Sequence, residues 1–248
     1  MYRNNRRKDI VFGRQPVLEL FESGAPVDKV YLAKNSTGES IGVIRVEAKQ
    51  GRVPLQVVPK EALNRMTGGN HQGVIAVTSE VTYQQLEDIV PHLYEQGKVP
   101  FFLLLDGITD VRNFGAIART ALASGAHAVV VGMRDAAPSN AEAVRTSAGA
   151  LLKLNVCRER TLKSAIDMLK MNGIPCYGLD AKGTALPWES NLKEPIALVL
   201  GSEESGISQN IQDKLDGLIK LPINSKLDSY NVSVAAGMVC YETMKQRG

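Results

Sequence analysis

The hydrophobic pattern of the first eighty residues switches between two periods. The short runs DIVFG, KVYLA (29–33), PLQVV and GVIAVTS read as strands. Between them, PVLELFES places Val17, Leu18 and Phe21 at helical spacing and IGVIRVEAKQG reads as a second helix. KEALNRMTGG is a short helix stopped by Gly68 and Gly69. Three strand–helix alternations predict a small α/β unit able to fold alone. The segment from Glu80 to Val99 is more polar. Within it, TYQQLEDIVPHLYEQGK predicts an amphipathic helix interrupted or kinked at Pro91 and ended by Gly97, serving as a connection.

A second α/β pattern follows. FFLLLD (101–106) and IALVLG (196–201) are continuously apolar, as strands covered on both faces are. AHAVVVG, PCYGLD and DGLIKLPI add strands, while 114–124, LKSAIDMLKMNG and NVSVAAGMVCYETMKQR read as helices. The alternation predicts a mostly parallel sheet with right-handed crossovers. The expected organisation is therefore a domain over 1–80, a linker over 81–98 and a larger domain over 99–248.

Composition changes this picture little. The 248 residues are 44% hydrophobic and 22% charged, an ordinary globular balance, and the net charge of +3 is too small to diagnose a nucleic-acid binder. The start, MYRNNRRKD, crowds Arg3, Arg6, Arg7 and Lys8 together; it is either a solvated terminus or a phosphate-contacting arm. No apolar run reaches the ~18 residues that span a bilayer, and the start lacks the apolar core of a signal peptide. Cys157, Cys176 and Cys240 are odd in number without a C-x-x-C pair, and His71, His92 and His127 are scattered. These features fit reduced thiols in a cytoplasmic protein and predict no metal site.

Ligands of open α/β sheets bind beyond the C-terminal ends of strands, and three such ends carry polar, glycine-bearing loops. The first is DGITDVRNFGAIARTA, where Asn113 is placed to cap a helix and Gly115 lets another chain or ligand approach closely. Phe114, Ile117, Ala118, Ala121 and Leu122 follow the spacing of a buried face. Arg119 falls outside that stripe, beside Ala116, Thr120 and Ala123: a solvated arginine, or a cation with room left for something to dock. The second loop, LVLGSEESGIS, has Gly201, Glu203 and Gly206. Its glutamates would repel a pyrophosphate, which disfavours a dinucleotide fold and a nucleotide-dependent oxidoreductase. The third, LPINSKLDSYNVSVAAG, brings Ser229 and Asn231 to the mouth of the last helix, where an N-cap explains one of them and not both.

In this order and spacing the loops resemble the SpoU-type 2′-O-ribose RNA methyltransferases of the SPOUT superfamily. Asn113, Gly115 and Arg119 match the family's N-x-G-x-x-x-R motif, and Gly201, Glu203 and Gly206 its G-x-E-x-x-G motif. Ser229, Asn231, Ser233 and Ala235 match S-x-N-x-S-x-A, with Ser225 where the family usually has glycine and Tyr230 where it usually has leucine. FGRQPVLEL and NHQGVIAV look like the substrate-binding domain of the ribosomal-RNA branch, which modifies a guanosine of 23S rRNA. The resemblance implies a parallel-sheet α/β domain with a deep trefoil knot, preceded by a ribosomal-protein-like RNA-binding domain. It also implies a homodimer, S-adenosylmethionine as cofactor and RNA as partner. Cofactor contacts would fall on Gly201, Leu221 and Tyr230, and catalytic roles on Arg119, Asn113, Glu203, Ser229 and Asn231. Transfer RNA remains an alternative substrate, and a catalytically silent RNA-binding or ribosome-assembly factor an alternative function.

Overall fold

The computed structural model describes residues 9–224 and 229–248; the basic stretch ahead of Asp9 and Ser225 lie outside them. The chain divides into two units, the first ending at Thr82 and the second running from Tyr83 to Gly248.

In the first unit the predicted elements form in order: β1 (Ile10–Phe12), α1 (Arg14–Glu22), β2 (Val27–Ala33), α2 (Glu39–Gln50), β3 (Leu55–Val58), α3 (Lys60–Met66) and β4 (Val74–Thr78). The sheet order is β1-β4-β2-β3, with β4 antiparallel to both neighbours and β3 parallel to β2. Alternation along β4 divides the core. Val74 and Ala76 pack with Val17, Ile41 and Ile44 of α1 and α2, while Ile75 packs with Leu63 of α3. The stretches FGRQ and NHQG are joined: Arg14 N–H donates to Gln72 Oε1 at 3.0 Å, and Arg14 Nε to the Gln72 carbonyl at 3.3 Å. Buried His71 fixes that loop, its Nδ1 accepting from Gly73 N–H at 3.0 Å while Nε2 meets Asn64 Oδ1 at 2.8 Å.

The second unit comprises β5 (Tyr83–Gln84), α4 (Leu86–Glu95), β6 (Phe101–Asp106), α5 (Val111–Ala123), β7 (Ala128–Gly132), α6 (Ala141–Thr146), β8 (Asn155–Glu159), α7 (Leu162–Met171), β9 (Cys176–Leu179), β10 (Ile196–Gly201), α8 (Gln209–Gln212), β11 (Gly217–Ile219) and α9 (Val232–Arg247). Its sheet has the order β11-β9-β10-β6-β7-β8-β5 with every pairing parallel. Both apolar runs lie near its centre, sealed on both faces as their composition requires. No helix among the described residues is long and apolar enough to cross a membrane.

The segment 81–98, expected as a connection, is more than that. Tyr83–Gln84 pairs with β8, and Leu86, Val90 and Leu93 pack into the core of the second unit with Leu162, Ile166 and Leu169. The helix runs through Pro91, which is exposed, and the turn that follows it contains Gly97 at φ +65°. Strand β8 has no counterpart among the predicted strands because NVCRE looks polar. Tertiary partners make its burial possible: the Arg158 guanidinium lies 3.2 Å from the Tyr83 ring centroid, and Glu159 Oε1 accepts Leu86 N–H at 3.0 Å. DGLIKLPI is a strand only over Gly217–Ile219.

Candidate active site

Because β6, β9, β10 and β11 are parallel, their C-terminal ends share one edge of the sheet, and the loops leaving them converge there. A cavity of about 240 Å³ opens among these loops, and Gly201, Glu203, Leu221, Ser229 and Tyr230 all line it. Tyr230 Oη donates to the Pro222 carbonyl at 2.9 Å, tying the approach to α9 back onto the segment after β11. Gly201 is required by contact rather than by dihedral angle. A Cβ there would stand 2.1 Å from the Gly206 carbonyl carbon and 2.2 Å from Ile207 N, since 202–206 folds back on itself through paired Ser202–Gly206 backbone bonds.

That fold-back presents Glu203 to the two asparagines. Asn113 Nδ2 donates to Glu203 Oε1 at 3.1 Å, and Val232 N–H approaches the same oxygen at 3.4 Å. Asn231 Nδ2 donates both to Glu203 Oε1 and to Asn113 Oδ1, the latter at 3.1 Å. Asn231 has a second duty, because its Oδ1 accepts from Ser233 N–H and Val234 N–H as the N-cap of α9. One residue from each motif thus enters a single cluster. A larger cavity of about 670 Å³ lies on the Asn113 side and shares Ser202, Glu203, Gly206 and Val232 with the first.

Three expectations for the first loop change. Asp110, not Asn113, caps α5, its Oδ1 accepting from Arg112 N–H and Asn113 N–H at 2.9 and 2.8 Å; this leaves the Asn113 amide for Glu203. The close approach at Gly115 is intramolecular, since a Cβ would meet Thr146 Oγ1 of α6 at 2.1 Å. Leu122 is 36% exposed, at the end of the otherwise buried stripe. Arg119 lines neither cavity; it is exposed, about 9 Å farther along the helix axis than Asn113. It has no hydrogen-bond or ion-pair partner among the described residues.

Two carboxylates escaped sequence reasoning. Asp106 Oδ2 accepts from both Ser208 N–H and Ser208 Oγ at 2.7 Å, anchoring the chain after Gly206. Asp180 lines the smaller cavity from the end of β9. The available signal was the same in FFLLLD and PCYGLD: a lone carboxylate closing an apolar strand.

Residues 100–241 match the SpoU rRNA methylase family, and residues 10–84 match the RNA 2′-O ribose methyltransferase substrate-binding domain. The chain belongs to the SpoU family. YacO of Bacillus subtilis, a relative carrying a TrmH family tRNA/rRNA methyltransferase name, is 36% identical over 244 residues, 98% of each chain. Among solved structures, an AdoMet-bound rRNA methyltransferase from Sinorhizobium meliloti superposes with a TM-score of 0.61 at 20% identity, covering 96% of this chain and 87% of its own. The TrmH/SpoU tRNA modifying enzyme of A. aeolicus gives a TM-score of 0.55 at 25% identity, covering 65% of this chain and 84% of its own. This SpoU protein is an S-adenosylmethionine-dependent RNA 2′-O-ribose methyltransferase.

The cavity suits that cofactor. Leu179, Leu200, Ile219, Leu221 and Ile223 supply apolar walls for an adenine ring, and no lysine or arginine among the described residues lines it to oppose a sulfonium. At Gly206, φ +66°, a Cβ would meet nothing nearer than Asp180 Oδ2 at 3.8 Å, so the wall is open where a side chain would otherwise stand.

Proposed function

We propose that the enzyme methylates the ribose 2′-OH of a guanosine in 23S rRNA, working as a homodimer whose C-terminal chain forms a deep trefoil knot. The observation that carries the ribosomal reading is the substrate-binding unit over 10–84. The S. meliloti rRNA enzyme matches across both units, whereas the A. aeolicus tRNA enzyme covers 65% of the chain. Transfer RNA stays the competing substrate, because relatives such as YacO carry both RNAs in their names. Mapping ribose methylations in total RNA from a deletion strain decides between them. Loss of one 23S guanosine methylation is expected, and loss of a tRNA methylation with intact rRNA refutes the reading.

The cofactor supplies an electrophilic methyl group, and the protein must align the hydroxyl and manage its proton. Arg119 is a poor base, since a guanidinium stays charged in proteins. In this reading it holds the target phosphate and stabilises the developing alkoxide, while water or a phosphate oxygen takes the proton. Asn113 orients the hydroxyl, Glu203 and Asn231 shape the loops around it, and Ser229 contacts cofactor or substrate. Gly201, Leu221 and Tyr230 hold the cofactor, chiefly through backbone groups. The dimer supplies what one chain lacks. With Arg119 outside both cavities of its own chain, a second copy would bring its arginine to the cluster. An exposed apolar row on α9, Val234, Met238, Tyr241 and Met244, offers the surface for it. Sedimentation of the free enzyme as a monomer at micromolar concentration would rule out this arrangement. Arg119→Ala should slow single turnover by roughly 10²–10³-fold. Near-normal turnover by Arg119→Lys would show that bidentate geometry is unimportant and that the proposed role is wrong.

A further inference from the structure

We infer that Asp180 holds the ribose hydroxyls of S-adenosylmethionine. The inference rests on the cofactor and is independent of which RNA is methylated.

Asp180 and Glu203 are the two carboxylates among the described residues lining the smaller cavity. Glu203 Oε1 is already engaged by the two asparagines and Val232 N–H. Asp180 is held firmly but only half used. Its N–H donates to the Ile219 carbonyl at 3.1 Å, its carbonyl accepts Gly183 N–H at 3.0 Å, and Oδ1 accepts Lys182 N–H at 2.9 Å. No hydrogen bond or ion pair engages Oδ2 among the described residues, and it lies 3.8 Å from the point a Gly206 Cβ would occupy. A fixed anionic acceptor therefore borders the open wall of the cavity.

The cofactor offers such an acceptor three kinds of donor: the ribose diol, the methionine ammonium, and the neutral amino group of adenine, whose ring the apolar walls take. The ammonium shares its carbon with a carboxylate, so placing it at Asp180 would bring two like charges together. Among the described residues of the lining, no lysine or arginine stands to offset that repulsion. The diol brings two O–H donors and no charge. A carboxylate beyond a parallel strand's C-terminal end also reads ribose hydroxyls in dinucleotide-binding sheets, from the same position relative to the strand.

Calorimetry with the full chain tests this, using S-adenosylmethionine and 5′-methylthioadenosine, which keeps the ribose and lacks the amino-acid group. Asp180→Ala should weaken both ligands by the same factor, about ten- to hundredfold. Asp180→Asn retains an oxygen acceptor for Lys182 N–H but presents a donor in place of Oδ2. It should show the same paired loss, and it carries the test if the alanine variant unfolds. Weakening of S-adenosylmethionine with unchanged methylthioadenosine binding would assign Asp180 to the ammonium and overturn the inference, as would unchanged binding of both. Failure of the unmodified protein to bind either ligand would instead remove the cofactor assignment on which the inference stands.

Discussion

Gly201→Ala isolates the contact on which the cofactor loop depends. The added methyl would stand 2.1, 2.2 and 2.4 Å from three backbone atoms of Gly206 and Ile207. Reaching ordinary contact at 3.4 Å requires the two strands of the fold-back to part by roughly 1 Å. No rotamer change relieves a clash with backbone, so the cost belongs at the upper end of overpacking, about 3 kcal/mol. For a unit of this size that lowers the thermal midpoint by roughly 6–12 °C. Gly125→Ala is the control: its φ of +73° makes alanine strained, yet a Cβ there meets nothing within 4 Å. It should cost about 1–2 kcal/mol and leave the site intact. The assay is thermal unfolding with and without cofactor. At a hundredfold excess over its dissociation constant, S-adenosylmethionine stabilises a binding-competent protein by about 2.7 kcal/mol. The unmodified protein and Gly125→Ala should show that upward shift, and Gly201→Ala should lose it because the displaced turn carries Glu203 away from both asparagines. A Gly201→Ala variant with an unchanged midpoint and a full cofactor shift would refute the packing argument.

Glu203→Ala removes the acceptor shared by Asn113 and Asn231, and should depress single-turnover rate while the circular-dichroism spectrum stays unchanged; an unaltered rate would detach the cluster from chemistry. Burial pushes the Cys176 and Cys240 thiols up to about 12 and Cys157 higher still. Unfolded thiols ionise near pH ~8.5, so stability should be complete below that value and decline as pH rises towards 12, checked by urea midpoints across the range. Burial, with help from the charges of Lys98 and Arg247, lowers the pKa of His127, whose Nδ1 accepts Phe101 N–H at 3.1 Å. Its contribution is present above pH ~6.5 and lost as pH falls further, so His127→Asn should flatten the acid limb of the stability curve. His71→Ala removes the acceptor for Gly73 N–H and leaves a cavity under the NHQG loop. It should cost the first unit about 2 kcal/mol, read from its unfolding when expressed alone over residues 1–82.

The sheet of the second unit was readable because FFLLLD and IALVLG are apolar without alternation, which leaves them no solvated face. Helix α5 was readable from its stripe, and the convergence of Asn113, Glu203 and Asn231 follows once parallel strands bring their ends to one edge. Other features depend on partners distant in sequence. Strand β8 hid behind Arg158 and Glu159, whose burial depends on Tyr83 and Leu86, more than seventy residues away. The role of α4 was masked by polar residues around Leu86, Val90 and Leu93. Asp110 and Asn113 are equally good caps by composition, and only the position of Glu203 decides which asparagine or aspartate is free for other work. Spacing matched Arg119 to the motif, but the exposure of its side chain depends on the packing around α5.

Asn231 has an evolutionary consequence. Aspartate caps a helix as well as asparagine does, so a single-nucleotide change to aspartate would keep α9 anchored. The same change would replace the amide that reaches Glu203 and Asn113 with a carboxylate facing another carboxylate. The fold and the RNA-binding unit would survive while the cluster is pushed apart. An RNA-binding descendant without methylating activity is therefore one mutational step from this enzyme, reachable without passing through an unstable intermediate.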